Sequence, residues 1–256
     1  MQDLVLVIKT HSDYSYLWPI IDDYIENIKL KKILFYDKSE NLPKNFDQYI
    51  EYDQQKTYMQ RLTHLTDIVK EDYILLIHDV DIIINLDENL LEKYFVFMKE
   101  KKVGYLKLHL SVSKDILKKG DLVLANLKNK CIANHVIPYD VTPAIWVKKT
   151  LNMISKKFPN LSYRDAENTL EFQNFFINNI SCYSLDKKSN LKIIYCRNLC
   201  FSKEFNFLHI TTKGKFTYPE EVYMDNKKEF LKIREKYKLK LESCDCTFVL
   251  KNARKL

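Results

Sequence analysis

Short unbroken apolar runs alternate, over the first 110 positions, with longer stretches in which apolar residues recur at helical spacing. Residues 3–9 (DLVLVIK) carry Leu4, Val5, Leu6, Val7 and Ile8 in succession, the pattern of a strand covered on both faces of a parallel sheet. Residues 17–30 then place Leu17, Ile20, Ile21, Tyr24, Ile25 and Ile28 on one helical face. Residues 32–36 (KILFY) repeat the strand signature, end at Asp37 and complete a predicted β-α-β unit. A helix is expected over residues 58–69, from Tyr58, Leu62, Leu65, Ile68 and Val69, and a buried strand over residues 72–77 (DYILLI). The polar stretch His78-Asp79-Val80-Asp81 follows at the carboxyl end of that strand, where ligands bind in open α/β sheets. A further helix (90–101) and strand (103–110) are expected next.

The pattern loosens beyond residue 110. Residues 111–143 read as a loop with short mixed elements, followed by helices over 147–157 and 165–178 and strands over 192–196 and 207–210. After Pro219 a long basic helix is expected to run to residue 241. This order predicts an α/β fold, a mostly parallel sheet flanked by helices with a C-terminal helical tail. Residues 1–218 form one expected domain, in halves 1–110 and 111–218, and residues 219–256 its helical extension.

Composition narrows the chemistry. With 256 residues, 46% hydrophobic and 29% charged, the chain has the make-up of a globular domain. It contains only three glycines, Gly104, Gly120 and Gly214, which excludes a Walker A loop and a dinucleotide-binding fingerprint. A bound phosphate must then be neutralised by a metal or by basic side chains. The net charge of +7 permits an anionic ligand, although many lysines, as in residues 227–240, suit a solvated helix face and discount nucleic acid. Six cysteines lack paired C-x-x-C units and read as reduced thiols. The first residues lack the basic start and length of a signal peptide, and no apolar run approaches the ~20 residues of a membrane span, so a cytoplasmic protein is expected.

Two carboxylates two positions apart, Asp79 and Asp81, project to one side of an extended chain, where they can share a hard cation with phosphate oxygens. The segments 58–62 (YMQRL) and 73–81 (YILLIHDVD) carry a resemblance to the GT-A glycosyltransferases, whose D-x-D follows an apolar strand preceded by a helix bearing Arg or Lys. The similarity is one of motif order and covers the first 110 residues best. It implies a GT-A type, Rossmann-like fold whose first half binds a nucleotide sugar and whose second half takes the acceptor. It also implies Mn²⁺ or Mg²⁺ as cofactor, with Asp79, Asp81 and His209 as metal ligands. Nucleotide-sugar contacts are implied at Thr10, His11, Ser12, Asp37, Arg61, Asp79, Val80 and Lys215. Ser12 and Asp13 equally suit the N-cap of the helix that follows, and Arg61 an ordinary helix surface.

In the second half, the segments 142–146 (TPAIW) and 163–167 (YRDAE) resemble the acceptor side of small GT-A enzymes, where a Pro-x-x-Trp segment precedes an acidic general base. An acceptor hydroxyl must lose its proton as it attacks, so a positioned carboxylate is required. The resemblance implies Glu167, or Asp165 in second place, as the base and Trp146 as an apolar face for a sugar ring; both acids also fit a helix start. His78 is assigned no metal role, because adjacent strand residues point to opposite faces. The expected activity is inverting transfer of a sugar from a nucleoside-diphosphate donor, UDP ahead of GDP, to a glycan or other hydroxyl acceptor. A nucleotidyltransferase using the same aspartates, or a non-enzymatic nucleic-acid or carbohydrate-binding protein, are the alternatives.

Overall fold

The computed structural model describes residues 1–38, 41–110, 122–126, 139–187, 205–212, 215–216 and 227–240. The expected opening unit is present. Strand β1 (Leu4–Lys9) leads through a 3-10 turn (Ser12–Leu17) into helix α1 (Trp18–Ile25) and strand β2 (Lys31–Tyr36), and β1 pairs with β2 in parallel. Pro19 falls in the first turn of α1, where its missing N–H has no intrahelical acceptor to forgo. Strand β3 (Gln48–Glu51) follows, then helix α2 (Tyr58–Ile68) and strand β4 (Tyr73–His78). Helix α2 begins at a capping box in which Thr57 and Gln60 satisfy each other's backbone N–H groups. Strand β5 (Asp81–Leu86), helix α3 (Glu88–Lys101), strand β6 (Tyr105–Leu110) and strand β7 (Leu122–Asn126) complete the first half.

The second half contains strand β8 (Ala144–Val147) and helices α4 (Lys148–Lys157), α5 (Tyr163–Asn168) and α6 (Leu170–Asn179). Strands β9 (Cys182–Lys187), β10 (Phe205–His209), β11 (Thr211–Thr212) and β12 (Lys215–Phe216), and helix α7 (Lys227–Lys236), follow. Eight strands form one sheet in the order β3-β2-β1-β4-β8-β6-β9-β7. Neighbours from β3 to β4 are parallel, as are β6 and β9, whereas β8 and β7 run antiparallel to their partners. The fold is thus α/β, a mostly parallel sheet flanked by helices, as the sequence predicts.

The alternation of β1 divides the core. Leu4, Leu6 and Ile8 join the layer built with α1, α3, β5, β10 and α7, and Val5 and Val7 join the layer built with α2, α4, α5 and α6. The expected C-terminal helix is α7; its Phe230 and Ile233 are buried in the first layer, while Glu229 meets Tyr24 and Lys236 meets Asp23 on α1. Gly104, entering β6, leaves no room for a side chain, since an added Cβ would lie 2.8 Å from Ile180 Cγ2.

Several expectations are corrected. Residues 81–86, for which no element is expected beyond the polar end of the 72–77 strand, form β5, which pairs antiparallel with β10 in a separate two-stranded ladder. Residues 144–146, given no element between the expected loop and helix, and Val147, expected to open that helix, form β8, hydrogen-bonded between β4 and β6 in the interior of the sheet. Four residues are too few to display a period, so AIWV cannot announce itself. The single helix expected over 165–178 is two, because Thr169 adopts an extended conformation between α5 and α6. The strand expected over 192–196, Gly120, Gly214 and five of the six cysteines lie outside the described residues; Cys182 is buried, its Sγ donating to the Ile180 carbonyl at 3.1 Å.

Candidate active site

A cleft of about 670 Å³ opens at the carboxyl ends of β1 and β4, bounded by the start of α2 and of α5 and by His209 at the end of β10. Parallel pairing sets Lys9 opposite His78, which brings the residues just beyond, Thr10, His11 and Asp79, side by side. Asp79 Oδ2 accepts hydrogen bonds from the Thr10 hydroxyl at 2.6 Å and from the His11 backbone N–H at 2.9 Å. Thr10 is held in turn: its hydroxyl accepts from the Trp18 indole N–H at 2.8 Å, and its carbonyl accepts from the Tyr52 hydroxyl at 2.6 Å. Burial pushes the Asp79 carboxyl up to about 6, against the opposing pull of Thr10, His11 and the Lys9 charge.

At the end of β2 the fully buried Asp37 gathers the neighbouring loop. It accepts from Ser12 N–H at 2.6 Å, from the Ser12 hydroxyl at 3.0 Å and from the Gln54 side chain, and His11 Nε2 stands 3.2 Å away. His11, not Ser12 or Asp13, caps the 3-10 turn, its Nδ1 accepting from Asp13 N–H at 3.2 Å. Thr10, His11, Ser12, Asp37 and Asp79 are therefore one connected network at three adjacent strand ends.

Asp81 opens β5, and the register of that ladder pairs it with His209, which closes β10. His209 Nδ1 and Asp81 Oδ1 are 2.9 Å apart, although 128 positions separate the two in the chain. Val80 fixes this junction, its carbonyl accepting from Ile210 N–H at 3.0 Å. Among the described residues no donor reaches Asp79 Oδ1 or Asp81 Oδ2. Among the described residues, too, no three His, Cys, Asp or Glu side chains converge on a common point.

The remaining expected residues are dispersed. Arg61 borders the cleft, donating to the Lys56 carbonyl at 2.8 Å and the Gln54 carbonyl at 2.5 Å, with its guanidinium carbon 4.8 Å from the centre of the Tyr52 ring. Lys215 lies on β12, opposite Thr212; its side chain is outside the described residues. Glu167 is half-buried behind Val141 of the cleft wall, whose N–H it accepts at 3.0 Å, and burial raises its carboxyl above the usual range. Asp165 is corrected: its carboxylate closes the capping box of α5 on Ser162 and faces solvent outside the cleft. Trp146 is corrected as well. It is 3% exposed and packs against Tyr105, Tyr139 and Phe176, so it offers no face to a sugar.

Other cleft residues escaped the sequence reading. His78 does line the cleft with Asp79, because β4 ends there and strand alternation no longer separates them. Its ring stacks on Tyr58 at 5.9 Å, and burial, then the Lys9 charge, lowers its imidazole to about 3, so it is neutral. Lys9 is 9% exposed, with its ammonium 5.1 Å from the Tyr52 ring and 5.6 Å from the Tyr58 ring, and burial lowers it to about 8. Behind the wall, Lys107 is 1% exposed and ion-paired with Asp140. A lysine closing or crossing an otherwise apolar strand was the available signal for both.

No known protein-family model and no curated protein matches the chain. Remote similarities exist among solved structures. S. aureus TarS, residues 1–349, in complex with UDP-GlcNAc aligns at 12% identity over 74% of this chain and 60% of that one, with a TM-score of 0.46. A CMP:2-keto-3-deoxy-manno-octonic acid synthetase complexed with CTP aligns at 10% identity over 75% and 93%, with a TM-score of 0.45. A cytidylyltransferase from Leptospira borgpetersenii aligns at 8% identity over 92% and 95%, with a TM-score of 0.46. Among the described residues no helix is long and apolar enough to cross a membrane.

Proposed function

We propose that the cleft binds a nucleoside-diphosphate sugar and that the protein transfers its sugar to a hydroxyl acceptor. The observation that carries this reading is the placement of Asp79, with its Thr10 and His11 donors, just beyond the parallel strands β1 and β4, followed two residues on by the Asp81–His209 pair of the antiparallel β5–β10 ladder. Two carboxylates, each with an oxygen that no described donor reaches, and one imidazole suit a hard divalent cation. Because only these few protein ligands are near, diphosphate oxygens and water would complete the shell, as magnesium and manganese accept. Asp79 and Asp81 are the residues that would hold the ion, with His209 beside them on Asp81. When bound, it supplies charge stabilisation to the leaving diphosphate.

The nucleoside is assigned to the side of the cleft where the Asp37 network holds the Ser12 loop, with His11, which lines the cleft, for ribose or base. Lys215 and Arg61 are assigned to the phosphates. Glu167 takes the acceptor proton while the acceptor oxygen bonds to the anomeric carbon and the sugar–phosphate bond breaks, its electron pair leaving on the diphosphate. The raised carboxyl of Glu167 suits a base of this kind. A second reading, nucleotidyl transfer from a nucleoside triphosphate to a sugar phosphate, is favoured by Lys9 and Arg61, two cations around one Tyr52 ring that match a more highly charged donor.

The test is a thermal-shift panel of UDP, GDP, nucleotide sugars and nucleoside triphosphates, with manganese and with chelator. Wild type is expected to melt higher with a nucleoside diphosphate only when manganese is present. Asp81→Ala is expected to lose this increment and keep its own melting temperature. An equal increment in Asp81→Ala removes the metal site; pyrophosphate release from a triphosphate and a sugar 1-phosphate selects the second reading.

A further inference from the structure

Among the described residues, two cations that line the cleft, Lys9 and Arg61, form no ion pair. Lys9 closes β1, a strand buried along its whole length, and its side chain is nine-tenths removed from solvent. Its ammonium makes no hydrogen bond and no ion pair among the described residues; its recorded neighbours are the faces of Tyr52 and Tyr58, at 5.1 and 5.6 Å. Asp79 and Asp37 act on it through space without pairing with it. Arg61 reaches the same Tyr52 ring at 4.8 Å and donates to two backbone carbonyls, those of Lys56 and Gln54, with no carboxylate bound among the described residues.

Such an arrangement is costly in the free protein. A desolvated ammonium is disfavoured unless hydrogen-bonded or paired. A cation–π contact offsets part of this but satisfies none of the three N–H donors. A second cation on the same ring adds repulsion, and the two charges do act against each other. Both residues line the cleft, so what they lack is what a ligand would bring. The rings of Tyr52 and Tyr58 are themselves fixed, Tyr52 through its hydroxyl on the Thr10 carbonyl and Tyr58 in contact with Tyr139 and His78, so the ammonium is held in place before any ligand arrives.

We infer that Lys9 and Arg61 form an anion clamp on the Tyr52 side of the cleft, closed by an anionic oxygen group of the ligand. The inference rests on the proposed binding of a nucleotide sugar in the same cleft, and deepens it by adding a second point at which negative charge is received, besides the metal-type residues Asp79, Asp81 and His209. The shared chemistry is a phosphate or carboxylate oxygen, from the diphosphate itself or from an acidic sugar.

Isothermal titration of the full chain with inorganic pyrophosphate, UDP, UDP-glucose and UDP-glucuronate, each with and without manganese, tests the clamp in wild type, Lys9→Met and Arg61→Gln. Each variant is expected to weaken at least one of these ligands by about tenfold or more, the loss typical of a charge-assisted hydrogen bond. Losses shared by pyrophosphate and UDP assign the diphosphate; a loss confined to UDP-glucuronate assigns the sugar carboxylate. Lys9→Met keeps the length and removes a desolvated charge, so its melting temperature is expected to equal or exceed wild type. If that variant fails to fold, Arg61→Gln, at a half-buried helix position, decides alone. Wild-type affinities for all four ligands in either folded variant overturn the clamp. Asp81→Ala separates the two ideas: loss of manganese dependence there, beside wild-type affinity in Lys9→Met, leaves the proposed function standing and the clamp refuted.

Discussion

Burial moves three of the site's ionisable groups toward neutrality, Lys9 downward and Asp79 and Glu167 upward. Each movement is a stability cost of the charged form that the fold tolerates where ligands or protons are handled. For Glu167 the sign is definite. Its folded carboxyl holds a proton more tightly than the unfolded one, so ionisation weakens the fold as pH rises through the raised value, and the cost is absent below the ordinary glutamate range. Glu167→Gln keeps an acceptor for Val141 N–H and removes the charge. Its melting temperature is expected to exceed wild type at neutral pH, with the difference disappearing as pH falls through the carboxylate range. Turnover is expected to fall about 10²-fold or more, with donor binding retained, if Glu167 is the base. Wild-type turnover in the variant would move the base elsewhere, and a melting difference that stays constant with pH would remove the charge argument.

At the scale of elements, helix α2 brings Tyr58 and Arg61 to the cleft, and its first turn depends on Thr57. Thr57→Ala removes the capping box and the hydroxyl contact with the Pro159 carbonyl, and is expected to cost about 1–2 kcal/mol in urea unfolding. Gly104→Ala forces a methyl against Ile180 and Thr150, with an expected loss of about 1–3 kcal/mol; a neutral result would mean that α4 and the end of α6 can yield. The first half of the chain was legible because its strands are apolar runs of six residues alternating with full helical periods, and β1, α1, β2, α2, β4, α3 and β6 stand where expected. What stayed hidden was short or cross-chain. β8 has four residues, β5 follows β4 after two, and the pairing of β5 with β10 depends on segments far apart in sequence. The carboxylates of the site were readable as a local motif; Lys9 was not, because one polar residue ending an apolar run looks like a boundary.

For the molecule as a whole, two apolar layers sandwich the sheet, and the aromatic cluster of Tyr105, Tyr139, Trp146, Phe172 and Phe176 fills the one built with α2, α4, α5 and α6. Trp146→Ala is expected to lose about 3–5 kcal/mol of stability by opening a cavity there. A variant with unchanged unfolding free energy and a raised acceptor KM would restore the sugar-stacking role that its burial denies. Helix α7 closes the other layer against α1, the element that follows the Thr10–Asp37–Asp79 network.

The Asp81–His209 contact carries a consequence for how the protein comes into being. A nascent polypeptide emerging from the ribosome presents β1, β2 and β4 first, while the imidazole that meets Asp81 follows that residue by 128 positions. Under the proposed function, competence to hold a divalent ion waits on β10, and a product truncated between β4 and β10 can assemble the Thr10–Asp37–Asp79 network while lacking the imidazole that meets Asp81.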